Sequence, residues 1–231
     1  METVVHTYRT VQLAMESSLP AVHFLHGSHG AYHTAMLVAA DLLRREQPVV
    51  IIDAANTTDP FFMATLFKSA DLEPEALLRR GYISRCYTFY QVDVTVTEGL
   101  AEFMRSVGSS TLMVFGLLDL IDDDQVPEGD IRDILERMHT TFTHLRSAGT
   151  RTLLVSAPLR FQLKEREHYF TAYKGLADVI YRIDTDYRRT PAKRGRHGTT
   201  DRHSHTTDRQ RTGAVGKLPP RAAQRTTGAL R

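Results

Sequence analysis

The sequence predicts an α/β protein: a three-layer α/β/α core in which a mostly parallel sheet lies between two layers of helices. Two observations predict this architecture. The segments expected to form strands are short and continuously apolar, which is typical of strands buried on both faces. Segments with helical spacing of apolar residues separate them, as in a chain of β–α–β units. Residues 1–186 carry this pattern and are numerous enough to bury the core of one such domain.

The first β–α–β unit is predicted from three consecutive patterns. The apolar run 22–26 predicts a buried strand that ends at Gly27. Apolar residues with helical spacing predict a helix over 34–46, which Pro48 stops. The run 49–53 is a second buried strand with an acidic residue at its end.

Two short helices are predicted before the third strand. Asp59 and Pro60 resemble an N-cap followed by proline at the first helical position, and the helix continues to about Ala70. A second short helix is predicted over 73–80, and a third strand over 82–87.

The remaining elements follow the same alternation of helices and strands. An amphipathic helix of about twenty residues is expected after the fourth strand and ends at Gly149. The predicted elements are a helix over 97–107, a turn over 108–110, a strand over 111–115, the amphipathic helix over 128–147, a strand over 151–156 and a sixth strand within 177–183.

Charge divides the chain into two parts. The net charge of the whole chain is +2, but residues 187–231 hold twelve Lys and Arg against two Asp, a net charge of +10. Residues 1–186 therefore hold 17 basic and 25 acidic groups, a net charge of −8. With few large apolar residues, 187–231 is predicted to be a disordered basic tail. It is either a nucleic-acid-binding arm or a solvated extension without selected function, for example the product of a shifted reading frame.

Cysteine usage and hydropathy predict a cytoplasmic protein without a membrane partner. The single cysteine, Cys86, allows no intramolecular disulfide and is expected to be a small core residue. The first residues lack the pattern of a signal peptide. The longest strongly apolar stretch, 112–121, is about half a membrane span and contains Asp119.

The segment after the first strand resembles a damaged phosphate-binding loop. Such a loop needs Gly, four residues, Gly-Lys, and then Ser or Thr, because backbone N–H groups, the Lys and the hydroxyl hold phosphate and Mg²⁺. Tyr32 replaces the second Gly, and His33 replaces the Lys. The residues predicted for nucleotide or phosphate binding are Gly27, Ser28, His29, Gly30, Ala31, Tyr32, His33 and Thr34.

The order of features along the chain resembles the RecA/RadA recombinase family of P-loop ATPases. The segment 71–80, DLEPEALLRR, followed by 82–88, YISRCYT, is similar to the helix-to-strand segment of that family in its RadA-like form. The predicted strands 49–53, 111–115 and 151–156 fall where the family core has its second, fourth and fifth strands. The resemblance covers roughly residues 10 to 185 and implies a RecA-like domain over 1–186.

The same resemblance implies that the ATPase chemistry is lost. The phosphate-loop Lys of the family corresponds to His33, its catalytic Glu to Ala55, and its metal-orienting Asp to Gly116. Phosphoryl transfer depends on positioning and charge neutralisation, so the loss of all three groups disfavours efficient hydrolysis. No catalytic residue is therefore assigned, and ATP with Mg²⁺ is expected to bind weakly if at all.

Three other sets of residues are candidate binding sites. Asp53, and Asp119 with the acidic run 122–124, could hold a metal, although an acidic loop is more often simply solvated. Arg160, Lys164 and Arg166 could contact DNA, although an amphipathic helix with its aromatic residues in the core is the more common outcome. Four histidines could gather around a metal, but the first two point to opposite faces of a strand and no metal site is assigned: His23, His26, His29 and His33.

The function expected from the sequence is binding rather than catalysis. The resemblance implies a non-hydrolysing RecA/RadA paralogue or accessory factor in DNA recombination and repair. Its expected partners are DNA, nucleotide, an active homologue or a second copy of itself. Two alternatives remain open: a weak ATPase with His33 and Asp119 as substitutes, and a nucleic-acid-binding module that acts through the basic tail.

Overall fold

The computed structural model describes residues 2–28, 30–157 and 163–183. The predicted basic tail, His29 and Arg160 lie outside these described residues. The elements are α1 (Glu2–Glu16), β1 (Val22–Gly27), α2 (Gly30–Arg44), β2 (Val49–Asp53), α3 (Pro60–Ser69), α4 (Pro74–Leu78), β3 (Gly81–Arg85), α5 (Phe89–Thr97), α6 (Leu100–Ser106), β4 (Thr111–Phe115), α7 (Leu117–Ile121), α8 (Glu128–Ser147), β5 (Arg151–Ser156), a 3₁₀ turn (Lys164–Arg166), α9 (Glu167–Lys174) and β6 (Val179–Ile183).

The described strands form one six-stranded sheet in the order β3-β2-β4-β5-β1-β6, and every neighbouring pair is parallel. The predicted α/β class with a parallel sheet is therefore confirmed. The three central strands β2, β4 and β5 are buried along their whole length, as their continuous apolar sequences predict.

Helices cover both faces of the sheet. On one face, α1 to α4 pack on alternate strand residues such as Leu25, Ile51 and Met113. On the other face, α5 to α9 pack on the intervening residues, such as Phe24 and Val114. The chain thus forms the three layers that the sequence predicts. None of the helices in the described part of the chain is long and apolar enough to cross a membrane.

The helix boundaries agree with the sequence where a capping residue marks them. Asp59 has extended backbone geometry, and its carboxylate accepts hydrogen bonds from the N–H groups of Phe61 (2.9 Å) and Phe62 (3.1 Å), which begins α3 as predicted. The predicted helix over 97–107 is confirmed as α6 but begins three residues later, and the helix α5 before it was not predicted. Gly99 separates them with a left-handed φ of 82°.

Candidate functional site

The candidate site lies along the edge of the sheet where the parallel strands end. In such folds ligands bind in crevices where neighbouring strands send their following segments to opposite faces. After β1 and β2 the chain passes to the face of α2 and α3, whereas after β4 and β5 it passes to the face of α7 to α9. The chain also passes to the face of α5 after β3, so the strand order places such crevices between β1 and β5 and on both sides of β2. The positions that the resemblance assigns to the site lie at two of them, between β1 and β5 and between β2 and β4.

The segment predicted as a phosphate loop is mostly helical. Helix α2 begins at Gly30 rather than at Thr34, so only two residues separate it from β1, and the loop assignment of 30–34 is corrected. The Ser28 N–H donates to the Ile183 carbonyl (2.6 Å), and the Gly30 N–H donates to the Ser28 hydroxyl (3.3 Å). Gly27 has φ 129°, and a Cβ there would lie 2.0 Å from the Ile183 oxygen. The described part of this turn is therefore held against β6.

Tyr32 fills the crevice between β1 and β5. Its side chain is only 5% exposed, and its ring lies 5.9 Å from that of Phe115, measured between centroids. Its hydroxyl donates to the Asp119 carboxylate (3.0 Å). Burial, reinforced by the Asp119 charge, raises the pKa of Tyr32 well above its ordinary value, so the hydroxyl stays protonated and remains a donor.

A close backbone contact fills the crevice between β2 and β4. Gly116, where the resemblance expects the metal-orienting Asp, has a left-handed φ of 70°. A Cβ at this position would lie 2.4 Å from the Cβ of Ala55, the residue that stands at the position of the catalytic Glu. The Ala54 N–H donates to the Phe115 carbonyl (2.8 Å), which ties the two strand ends together. The two positions where the resemblance expects carboxylates are thus occupied by Gly116 and Ala55, which pack against each other.

His33 and Thr34 do not offer groups suited to phosphate and Mg²⁺. Thr34 is 1% exposed within α2. The His33 ring lies 4.9 Å from the Phe62 ring of α3, measured between centroids, and burial lowers the pKa of His33. At neutral pH His33 is therefore mostly uncharged, so it does not replace the positive charge of a lysine.

Asp53 and Asp119, the predicted metal acids, are held apart by different partners. Asp53 is fully buried and accepts hydrogen bonds from the N–H groups of Thr57 (3.1 Å) and Thr58 (2.8 Å). It fixes the loop after β2, whereas Asp119 is bonded to Tyr32 across the neighbouring strands. Among the described residues, no three His, Cys, Asp or Glu side chains are grouped so that they could hold a metal ion.

The histidines are dispersed. His23 lies beside Tyr181 of β6, with its Nδ1 3.3 Å from the tyrosine hydroxyl. His26 lies on the opposite face of β1, where its ring contacts that of Phe170. The expectation that these two side chains point in opposite directions is confirmed.

Arg166, a possible DNA contact by sequence, is buried and bonded to the backbone in the structure. Its side chain is 7% exposed, and its guanidinium donates to the carbonyl oxygens of Ile121, Asp123 (2.6 Å) and Val126 (2.8 Å). These N–H groups are not available to a phosphate. Lys164 is exposed, and Arg160 lies outside the described residues.

Helix α9 is amphipathic, as the alternative interpretation expects. Tyr169 and Tyr173 are buried against the core. The Tyr169 hydroxyl donates to the Glu128 carboxylate (2.7 Å), and burial together with this bond raises the pKa of Tyr169 to about 12.

Sequence inspection did not predict a groove beside the edge strand β3. The groove has a volume of about 540 Å³ and lies where α5 and α6 meet the sheet. Tyr82 and Phe103 form one wall with an edge-to-face ring contact at 5.5 Å between centroids, and Phe103 stays 43% exposed. The signal in the sequence was β3 itself, whose mixture of apolar and polar residues, YISR, is typical of an edge strand.

No protein-family model matches the chain, and no curated protein matches it.

Proposed function

We propose that this chain is a RecA/RadA-like protein that does not hydrolyse ATP efficiently and acts by binding. In this proposal it is a paralogue or accessory factor in DNA recombination and repair, and its partner is an active RecA/RadA-type homologue. The cores of that family assemble edge to edge, so a core without catalytic groups can still take part in an assembly.

The observation that carries the proposal is the closure of the candidate site. Phosphate-loop ATPases need space and charge at the strand ends. In this chain Tyr32 fills one crevice, and the contact between Gly116 and Ala55 fills the other. A chain whose strands and helices remain intact around a filled site supports a binding role better than a catalytic one.

The groove beside β3 supports the choice of partner. An edge strand has unpaired N–H and C=O groups, and an extended segment of a partner can add to it while placing an apolar side chain in a neighbouring pocket. The β3 edge adjoins such a pocket, lined by Tyr82, Leu100 and Phe103. An edge-to-edge contact with a homologous core would cover both.

Binding of the full chain to the active RecA/RadA-type recombinase of the same cell tests this proposal. Phe103→Asp should weaken the complex by about tenfold or more, because it places a charge in the apolar groove. Phe61→Asp is the matched control, because Phe61 is 84% exposed on α3 and does not line the groove. Circular dichroism of both variants checks that they fold.

Two results would contradict the proposal. One is the absence of a complex between the recombinase and the unmodified chain. The other is a complex that Phe103→Asp and Phe61→Asp weaken equally, which would place the contact away from the groove.

A further inference from the structure

The segment 117–126 contains α7 and the acidic loop that follows it, and two buried side chains from distant parts of the chain hold it. Tyr32, from α2, bonds Asp119 at the beginning of the segment. Arg166, next to α9, bonds three backbone carbonyls between Ile121 and Val126. The Asp122 carboxylate also accepts a hydrogen bond from the Leu163 N–H (3.1 Å).

The Tyr32 hydroxyl joins two elements that lie on opposite faces of the sheet. It belongs to α2, and it donates to α7 through Asp119. In an ordinary crevice at this edge of a sheet, a bound ligand occupies the space between such elements. In this chain the Tyr32 side chain makes the contact.

The Arg166 bonds have a similar effect on the loop after α7. Backbone carbonyls in a loop usually bond water, so a loop with free carbonyls opens easily. Here one guanidinium, itself nearly inaccessible to water, uses its N–H groups on three of these carbonyls. Loss of the guanidinium would leave the buried carbonyls of Ile121 and Val126 without this donor, whereas the Asp123 carbonyl would keep its bond from the Val126 N–H (3.1 Å).

We propose that Tyr32 and Arg166 form a clamp that holds the segment 117–126 in one conformation in the absence of any nucleotide. Both are positioning residues, since they act through the backbone and through Asp119. The consequence for binding rests on the proposed function: the chain would present one unchanging surface to its partner, where an ATPase would switch with its nucleotide.

Hydrogen exchange of the full-length chain, followed by mass spectrometry with and without millimolar Mg-ATP, tests the clamp. The unmodified chain should exchange slowly over 117–126 and equally in both conditions. Tyr32→Phe should speed exchange over 117–121 by roughly three- to tenfold, because one buried hydrogen bond is lost. Tyr181→Phe is the control, since it removes a tyrosine hydroxyl on β6 and should leave this segment unchanged.

Two replacements of Asp119 distinguish loss of the Tyr32 hydrogen bond from a general loss of stability. Asp119→Asn keeps an oxygen that accepts the Tyr32 bond and should keep slow exchange, whereas Asp119→Ala should reproduce the effect of Tyr32→Phe. The clamp is refuted if Tyr32→Phe leaves exchange over 117–121 unchanged, or if Mg-ATP slows exchange there in the unmodified chain. Because exchange is measured on the chain alone, failure of the clamp is distinguishable from failure to bind the recombinase.

Discussion

Gly116 shows at the scale of a single residue why an Asp cannot simply be introduced at the end of β4. Its left-handed backbone disfavours any side chain, and a Cβ there would meet the Cβ and backbone of Ala55 at 2.4 to 2.8 Å. An Asp would need both a different backbone conformation and a displaced Ala55. A glycine at this position is therefore part of how this edge of the sheet packs.

Gly116→Ala should lower the free energy of unfolding by roughly 3 kcal/mol or more, because backbone strain and steric overlap add. Gly108→Ala is a matched control, since Gly108 has a similar φ of 66° with no atom within 4 Å of a built Cβ. It should cost only about 1–2 kcal/mol. Urea denaturation of both variants measures the difference, and equal losses would show that the contact with Ala55 carries no energy.

His23 links the stability of the fold to pH. It is buried, and burial lowers the pKa of His23 against the opposing effect of the Asp178 carboxylate, with Arg151 lowering it further. The unfolded chain therefore binds a proton at higher pH than the folded chain. The contribution of His23 to the free energy of unfolding is fully present above about pH 6.5 and is lost as the pH falls below that value.

His23→Gln should flatten the pH dependence of unfolding. Between about pH 7.5 and about pH 5.5, the unmodified chain should lose roughly 1 kcal/mol more than the variant does, since the variant has no proton to take up at this position. Urea denaturation at the two pH values measures this. Parallel losses in the two proteins would exclude His23 as a source of acid sensitivity.

At the scale of elements, the periodicity of apolar residues predicted which strands are buried. It did not predict helix boundaries that depend on contacts between distant residues. The runs 49–53 and 111–115 are apolar throughout and lie in the central strands β2 and β4. The start of α2 was misplaced because Gly30, Tyr32 and His33 resemble a loop in the local sequence. The contact that stabilises Tyr32 in the helix comes from Asp119, 87 residues away, and local patterns contain no such information.

The parallel strand order brings Gly27, Asp53 and Gly116 to one edge of the sheet, since parallel strands end at the same edge. The sequence predicted the parallel sheet but not how these residues pack. How tightly that edge packs depends on distances in space, such as that between Gly116 and Ala55. The spacing of residues along the sequence does not give these distances. Arg166 was likewise expected to be exposed, because the sequence does not show the backbone carbonyls to which its buried guanidinium donates.

Arg166→Ala should destabilise the chain by roughly 2–4 kcal/mol, because the buried carbonyls of Ile121 and Val126 lose this donor. Lys164→Ala, two residues earlier in the same turn and exposed, should change the free energy of unfolding by about 0.5 kcal/mol or less. Thermal or urea denaturation distinguishes the two. Similar small effects for both variants would mean that the Arg166 bonds are not structural.

At the scale of the whole molecule, opposite charges are segregated along the chain. Residues 1–186 have a net charge of −8 and 187–231 a net charge of +10. Phosphate-backbone binding is driven by counterion release from basic residues. Any DNA affinity that comes from charge alone should therefore depend on 187–231.

The full chain should bind single-stranded DNA more tightly than a chain that ends at Asp186, and the difference should shrink as salt is raised. Fluorescence anisotropy with a labelled oligonucleotide at two salt concentrations measures both. Equal affinities for the two chains would eliminate 187–231 as the binding segment.

The central claim is the proposed closure of the site: among the described residues, Tyr32 lies in one crevice at the strand ends, and the contact between Gly116 and Ala55 lies in the other. Calorimetry and thermal unfolding of the full-length chain in Mg-ATP test it most directly. The account predicts no heat of binding, no rise in Tm at millimolar nucleotide and no hydrolysis. A Tm that climbs with nucleotide concentration, or hydrolysis near 1 s⁻¹ that His33→Ala abolishes, would contradict it.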